Sequence, residues 1–353
     1  MILAGGPGTR LRPLTLTTPK PLLPVAGTPL VVRLIDMLAA AGIERVLLST
    51  YYRAADFPPV ITQHAMPASV ETVIEPAPLG TGGALRHAIG RLRGENVLVL
   101  NGDSLSRFDL SAIIDRHVRH SAVATIAVVE VDDVSRYGAV QLDRTGRIAT
   151  FNEKAEASVP GTINAGCYLL HRSAIERIPE GRPVWLEAEI LPALLAAGET
   201  IIGHLHRGYW RDIGTLASYV RAGRDLVLGR VDNSQGAARL TLGPVTIDAD
   251  AHITGGTTLH PGVTVAAGAR IEGSVVMHGA RVDTDANVLG SVIAAGAVVE
   301  SGALVVDSAV GEGARVGARA RLTAGAAVWP GLAVPAGTTV PGVQITSTLF
   351  SAT

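Results

Sequence analysis

The sequence predicts two unlike domains in one chain: an α/β domain with a mixed, mostly parallel sheet, then a parallel β-helix. Three observations carry this. Short apolar runs alternate with segments of helical period over the first part of the chain. From Val245 onward aliphatic residues recur every six positions instead. The 353 residues also exceed the roughly 250–300 that a single core usually holds. The boundaries read as an α/β domain over residues 1–228, a linker over 229–243 and a β-helix over 244–353.

The elements follow in order. Ile2-Leu3-Ala4 is a short apolar strand broken by Gly5-Gly6. Thr28-Pro29 can cap and open a helix, with proline at the first helical position, and Leu30, Leu34, Ile35 and Leu38 repeat along one face. Gly42 stops it. Arg45 to Tyr51 reads as a buried strand, Asp56 to His64 as a short irregular helix and Ser69 to Glu75 as a strand. Gly80 to Leu92 is a helix opened by glycines. Asn96 to Asn101 (NVLVLN) has almost no polar alternation, as expected where helices cover both faces of a parallel sheet. Asp109 caps a helix that runs to Arg119.

Val123 to Val131 is the next strand. Gly138 to Gln141 pairs with Ile148 to Asn152 across a turn at Asp143–Gly146. Ile163 to Leu170 is a strand, Leu186 to Ala197 a helix, Ile201 to Trp210 a strand and Ala217 to Leu228 a helix. Periodicity fades from Gly229 to Gly243.

The repeat then runs Ile247, Ile253, Leu259, Val265, Ile271 in steps of six and takes a step of five to Val276. Two more steps of five end at Ile293 and Val310, and steps of six lead on to Val340. The shortened steps lie 17 residues apart, so each coil has three flat faces of one hexapeptide each.

Bulk properties narrow the function. Apolar residues make up 47% and charged ones 17%, which describes a core-forming chain. A net charge of −1 gives no field that would favour nucleic acid or membranes as partners. The single cysteine, Cys167, lies in an apolar run and rules out an internal disulfide or a cysteine zinc cluster. Neither a basic n-region nor an apolar h-region follows Met1, and no stretch approaches the ~20 apolar residues of a membrane span. A soluble, cytoplasmic protein is expected.

The chemistry starts in the first loop, AGGPGTRLRPLTLTTPKPLLP. Gly5, Gly6 and Gly8 allow a backbone to approach a ligand closely, and amides in such a loop can cradle phosphate oxygens. Arg10 and Lys20 add charge-assisted hydrogen bonds. Locally this reads as an anion site for a polyphosphate; the glycines alone would also suit a plain strand-to-helix turn. It is neither a Walker loop nor a dinucleotide fingerprint, since no G-K-[ST] follows and the G-x-G-x-x-G spacing is absent.

The whole stretch resembles the signature of the sugar-1-phosphate nucleotidyltransferases, G-x-G-T-R followed by P-K. The resemblance implies a Rossmann-like catalytic domain and a left-handed form of the β-helix. It implies that Leu3, Ala4, Gly5, Gly6, Gly8 and Thr9 wrap the triphosphate of a nucleotide, while Arg10 and Lys20 neutralise charge as the phosphoryl bond is made and broken.

Asn101-Gly102-Asp103 follows an apolar strand, and a carboxylate at a strand's carboxyl end sits where open α/β sheets bind ligands. Trp210-Arg211-Asp212-Ile213-Gly214 ends another strand in the same way. Each could be an ordinary turn or cap; together two carboxylates suit Mg²⁺, which takes oxygen ligands. Asp103 and Asp212 match the family's metal ligands. The implied reaction is in-line attack of a sugar 1-phosphate on the nucleotide α-phosphorus, with pyrophosphate leaving, and it needs no protein nucleophile.

Glu75-Pro76 and Leu79-Gly80-Thr81-Gly82-Gly83 match the segment that faces the nucleobase, with Glu75, Gly80 and Thr81 as its contacts. The form here looks like guanylyltransferases acting on mannose 1-phosphate; packing at a helix N-terminus is the plainer reading of the glycines. Gly138, Glu153, Lys154 and Asn164 match the sugar-phosphate pocket. Two departures bear on the sugar. Ala155 stands where the family usually has proline, and Trp185 precedes Leu186-Glu187 where a small serine is common. The indole either reshapes the pocket or packs in the core. Mannose 1-phosphate, a related sugar, or a cyclitol phosphate such as valienol 1-phosphate are the substrates this admits. GTP is the expected nucleotide.

His252, His260 and His278 lie in the repeat. They raise acyl transfer as a second class, against which no long loop interrupts the coils and solvated histidines are the simpler reading. A non-catalytic regulatory paralogue would be expected to lose Arg10, Lys20, Asp103 or Asp212, and all four are present. The open coil edges favour homo-oligomerisation through the β-helix.

Overall fold

The structure is a computed structural model and describes residues 1–135, 137–152 and 158–346. It has two compact units, one of Met1–Gly6 with Val31–Trp210, the other of Pro7–Leu30 with Arg211–Thr353.

The first unit is built on a seven-stranded sheet. Its order is Ile201–Leu205, Ala124–Val131, Gly161–His171, Asn96–Asn101, Ile2–Leu3, Arg45–Thr50, Ser69–Ile74. Only Gly161–His171 runs antiparallel to its neighbours. The interior strand Ile2–Leu3 is two residues long. Leu3 pairs with both Ser49 and Asn101, and Thr50 pairs with Ile74. Gly5, Tyr51, Glu75 and Gly102 therefore leave the sheet at one edge. Leu85, Val99, Ile126, Tyr168 and Ile175 are fully enclosed in the core beneath it. Asp109 caps the helix Leu110–Arg119 as expected, its carboxylate accepting from Ala112 N at 2.9 Å.

Three elements differ from the reading along the sequence. Thr28–Pro29 does not open a helix; it pairs as a strand with Pro24–Val25 across a tight turn at Ala26 and Gly27, whose φ angles are 46° and 83°. The helix starts one residue later and spans Leu30–Ala40. The segment predicted as one helix over 186–197 begins as a π-turn, Leu186–Ile190, and becomes α-helical only at Leu191–Ala196. Pro192 has no N–H and its ring disfavours an unbroken α ladder here. The strand predicted over 201–210 splits into Ile201–Leu205 and Trp210–Asp212. At the break the His206 ring packs edge-on against Phe108 at 4.8 Å.

In the second unit the repeat forms three parallel sheets of seven, six and six short strands. The predicted register holds: Val265 pairs with Val282, Val282 with Val299 and Val299 with Val316. The series from Ile253 to Val340 points inward and is buried, while Ile247 is only partly covered. Arg239–Thr241, inside the stretch read as a linker, already pairs with Thr257–Leu259 and forms the first strand of one face.

The five-residue steps have a physical cause. Each falls at a corner with a buried serine, Ser274, Ser291 or Ser308, preceded by Gly273, Gly290 or Asp307 at φ 52°, 56° and 46°. The serines stack. Ser291 N donates to Ser274 Oγ at 3.1 Å, Ser308 N donates to Ser291 Oγ at 3.0 Å, and Ser291 Oγ donates to Leu289 O at 2.7 Å. A hydroxyl ladder thus satisfies amides that the tighter corner would leave without partners.

Candidate active site

At the sheet edge of the first unit, backbone crowding dictates the residue types. A Cβ on Gly5 would stand 2.9 Å from Glu75 Oε1, and one on Gly102 would stand 2.6 Å from Leu3 O. Ala4 N donates to Ser49 O at 2.8 Å and fixes the start of the loop. Gly6 opens onto free space. Glu75 is 6% exposed; its carboxylate accepts from Ser49 Oγ at 2.8 Å and Leu79 N at 3.1 Å. Burial nonetheless raises its pKa above the ordinary 4.5. Asp103 is half-buried in the turn after Asn96–Asn101.

The glycine-rich helix start, Gly80–Ala88, has a packing explanation. Val184 O accepts from Gly82 N at 2.9 Å and Gly83 N at 3.1 Å. Gly80 has φ +71°, and a Cβ there would lie 2.5 Å from the same carbonyl.

Thr81 donates to Glu187 Oε2 at 2.8 Å and accepts from Leu186 N at 2.8 Å. The Tyr168 hydroxyl donates to the other oxygen of Glu187 and accepts from Asn164 Nδ2, the latter at 2.7 Å. Burial, reinforced by the Glu187 charge, lifts the Tyr168 phenol far above its usual range, so it remains a donor. Thr81 and Asn164 are thereby linked through Tyr168 and Glu187, two residues that sequence reading did not single out. Tyr168 is four positions from Asn164, but no local spacing announces the contact of Glu187 with Thr81, 106 positions away.

Gly138 is buried at φ 78°, beside Tyr137, whose ring meets Trp210 edge-on at 5.9 Å. Trp210 Nε1 donates to Ala165 O at 2.8 Å and steadies the Asn164–Gly166 segment. Glu153 and Lys154, and the departure at Ala155, lie outside the described residues. Trp185 is 51% exposed, which excludes the core-packing reading.

The second unit gathers the charged residues. Gly8, at φ 60°, leads into the turn Thr9–Leu11, and Thr15 Oγ1 donates to Gly8 O at 2.8 Å. Thr9 and Arg10 are exposed. Lys20 is 7% exposed and its Nζ stands 3.9 Å from Asp212 Oδ1. A Cβ on Gly214 would lie 2.5 Å from Asp212 Oδ2 and 2.8 Å from Arg10 Nη2. Arg10, Lys20 and Asp212 thus converge on one point with a glycine making room for them. Among the described residues no group of three or more His, Cys, Asp or Glu is placed to hold a metal alone. The histidines of the coil are not equivalent: His252 and His278 are exposed, whereas His260 encloses an Nε2 with no partner.

Comparisons with known proteins identify the family. The nucleotidyl transferase family model matches residues 1–227. A mannose-1-phosphate guanylyltransferase of Mycobacterium tuberculosis is 41% identical over 289 residues, covering 80% of each chain. Mannose-1-phosphate guanylyltransferase 1 of Arabidopsis thaliana is 36% identical over 283 residues, covering 77% of each. The crystal structure of HddC from Yersinia pseudotuberculosis complexed with GMP-PN superposes with a TM-score of 0.57 at 31% identity. It covers 64% of this chain and 97% of its own. On the family match and the identity to these relatives, the chain is an enzyme that belongs to the nucleotidyl transferase family.

Proposed function

We propose that the enzyme joins GTP and mannose 1-phosphate to give GDP-mannose and pyrophosphate. The observation that carries this is the convergence of Arg10, Lys20 and Asp212. The named activities of the relatives supply the nucleotide and the sugar.

In this reading the loop from Leu3 to Thr9 follows the triphosphate, and Arg10 and Lys20 hold charge that builds on the departing pyrophosphate. Glu75, Gly80 and Thr81 line the nucleotide. Gly138, Glu153, Lys154 and Asn164 hold the sugar phosphate, Asn164 oriented by Tyr168. One phosphate oxygen of the sugar attacks the α-phosphorus, a P–O bond forms there, and the bond to pyrophosphate breaks.

Asp103 and Asp212 would hold a magnesium ion. Both offer only oxygen donors, which that ion prefers, and phosphate and water oxygens would complete its shell. When bound, it would screen the negative charge of the two phosphates. Among the described residues the strands at the coil ends pair on one side only, and we assign these edges to assembly between copies. A solution mass of one chain would overturn that assignment.

The test is pyrophosphate release with magnesium, crossing GTP, ATP, UTP, CTP and dTTP with mannose, glucose and valienol 1-phosphates. Release with GTP and mannose 1-phosphate is the expected result. Release with GTP and only another phosphate would keep the mechanism and move the substrate. No release with any pair would overturn the proposal in favour of a regulatory role.

A further inference from the structure

Folding normally hides a tryptophan, and the other two in this chain are at least partly covered. Trp210 is half-buried with its Nε1 hydrogen-bonded to Ala165 O, and Trp329 is half-buried with its Nε1 enclosed. Trp185 leaves 51% of its surface in solvent. Its backbone is nevertheless fixed. Val184 N donates to Leu79 O at 2.8 Å, Trp185 N donates to Glu189 Oε1 at 3.2 Å, and Glu189 N returns a bond to Trp185 O at 3.0 Å. Glu189 is itself held by Arg182 at 2.8 Å. The indole stands against the glycine turn: its Cε2 would be 3.3 Å from a Cβ on Gly80. Two residues on, Glu187 is hydrogen-bonded to Thr81.

A flat apolar ring, open to solvent on a fixed backbone beside the turn assigned to the nucleotide, suits a flat ligand. We propose that Trp185 determines nucleotide specificity by stacking its indole on the purine of the incoming nucleotide. This rests on the assignment of Gly80 and Thr81 to the nucleotide. A bicyclic purine overlaps an indole more fully than a pyrimidine does, so the contact favours GTP over UTP and dTTP.

The experiment uses the full chain and the variants Trp185→Ala and Trp185→Phe, with GTP varied at saturating mannose 1-phosphate. Trp185→Ala raises the KM for GTP about tenfold and leaves kcat within about twofold. Trp185→Phe restores most of the loss. GTP alone quenches the tryptophan fluorescence of the wild type, and the quenching disappears in Trp185→Phe. An unchanged KM for GTP in Trp185→Ala, or a rise only in the KM for mannose 1-phosphate, overturns the inference while the wild-type activity stands. A wild type that neither releases pyrophosphate nor responds to GTP in fluorescence removes both the inference and the reading beneath it.

Discussion

Lys20 and Asp212 lie 3.9 Å apart and mostly out of water, with the guanidinium of Arg10 close to the same glycine. Charges held in place before the reaction cost no reorganisation during it, and deleting one such contact usually costs about 10²–10³ in rate. Asp103→Asn, Asp212→Asn and Lys20→Met should each lower kcat by about that factor while far-ultraviolet circular dichroism is unchanged. Wild-type turnover in a folded Asp212→Asn protein would refute the metal assignment. Glu75 adds a pH signature. Its folded pKa is raised by burial, so the folded chain retains this proton to higher pH than the unfolded one. Its contribution to stability is complete below 4.5 and is lost as pH rises through the folded value. Glu75→Gln should flatten that part of a melting-temperature profile; an identical slope would contradict it. Arg10, Lys20, Asp103 and Asp212 are legible in the sequence because their motifs are local. The link from Thr81 to Asn164 is not: Tyr168 lies four residues from Asn164 on one strand, but only the fold brings Glu187 to both Tyr168 and Thr81.

The inward positions of the β-helix were also legible, because burial of one aliphatic per hexapeptide leaves its period in the sequence. The serine ladder that makes three corners shorter was not. It depends on stacking between coils, which a linear reading counts only as a missing residue. Ser291→Ala removes the acceptor for Ser308 N and should cost about 1–3 kcal/mol in chemical denaturation. No change would mean that the amide finds another partner. The same limit hides the π-turn at Leu186–Ile190, where a single proline outweighs a good helical pattern. His260 reports on the coil through pH. Burial first, then the neighbouring His278, pull its pKa from 6.5 to about 4. The unfolded chain binds the extra proton between those values, so stability falls as pH drops through that window. A full shift is worth about 3 kcal/mol. His260→Gln should remove this fall from unfolding curves recorded across the window.

At the scale of the molecule, the second unit is assembled from distant parts of the chain. Tyr219 donates from its hydroxyl to Pro24 O at 2.6 Å, and Gly27 lies where a Cβ would strike the Leu242 side chain. Arg10, Lys20 and Asp212 therefore belong to the same unit as the β-helix. Val299→Asp, a charge placed inside the coil, should melt that unit and abolish pyrophosphate release together. Full activity alongside a lost β-signal would show that the charged cluster stands without the coil. A reading along the sequence finds neighbours in order, and so it sees the repeat but not the return of Pro7–Leu30 to the chain beyond Trp210.

That return imposes an order in time. Tyr219 and Pro24 are 195 positions apart. At a ribosome's pace of about 5–20 residues per second, the loop bearing Arg10 and Lys20 waits roughly 10–40 s for the polypeptide that holds it. During synthesis it is a cationic ribbon without a home, and a chain released before Trp210 never acquires the cluster, whatever the state of its sheet.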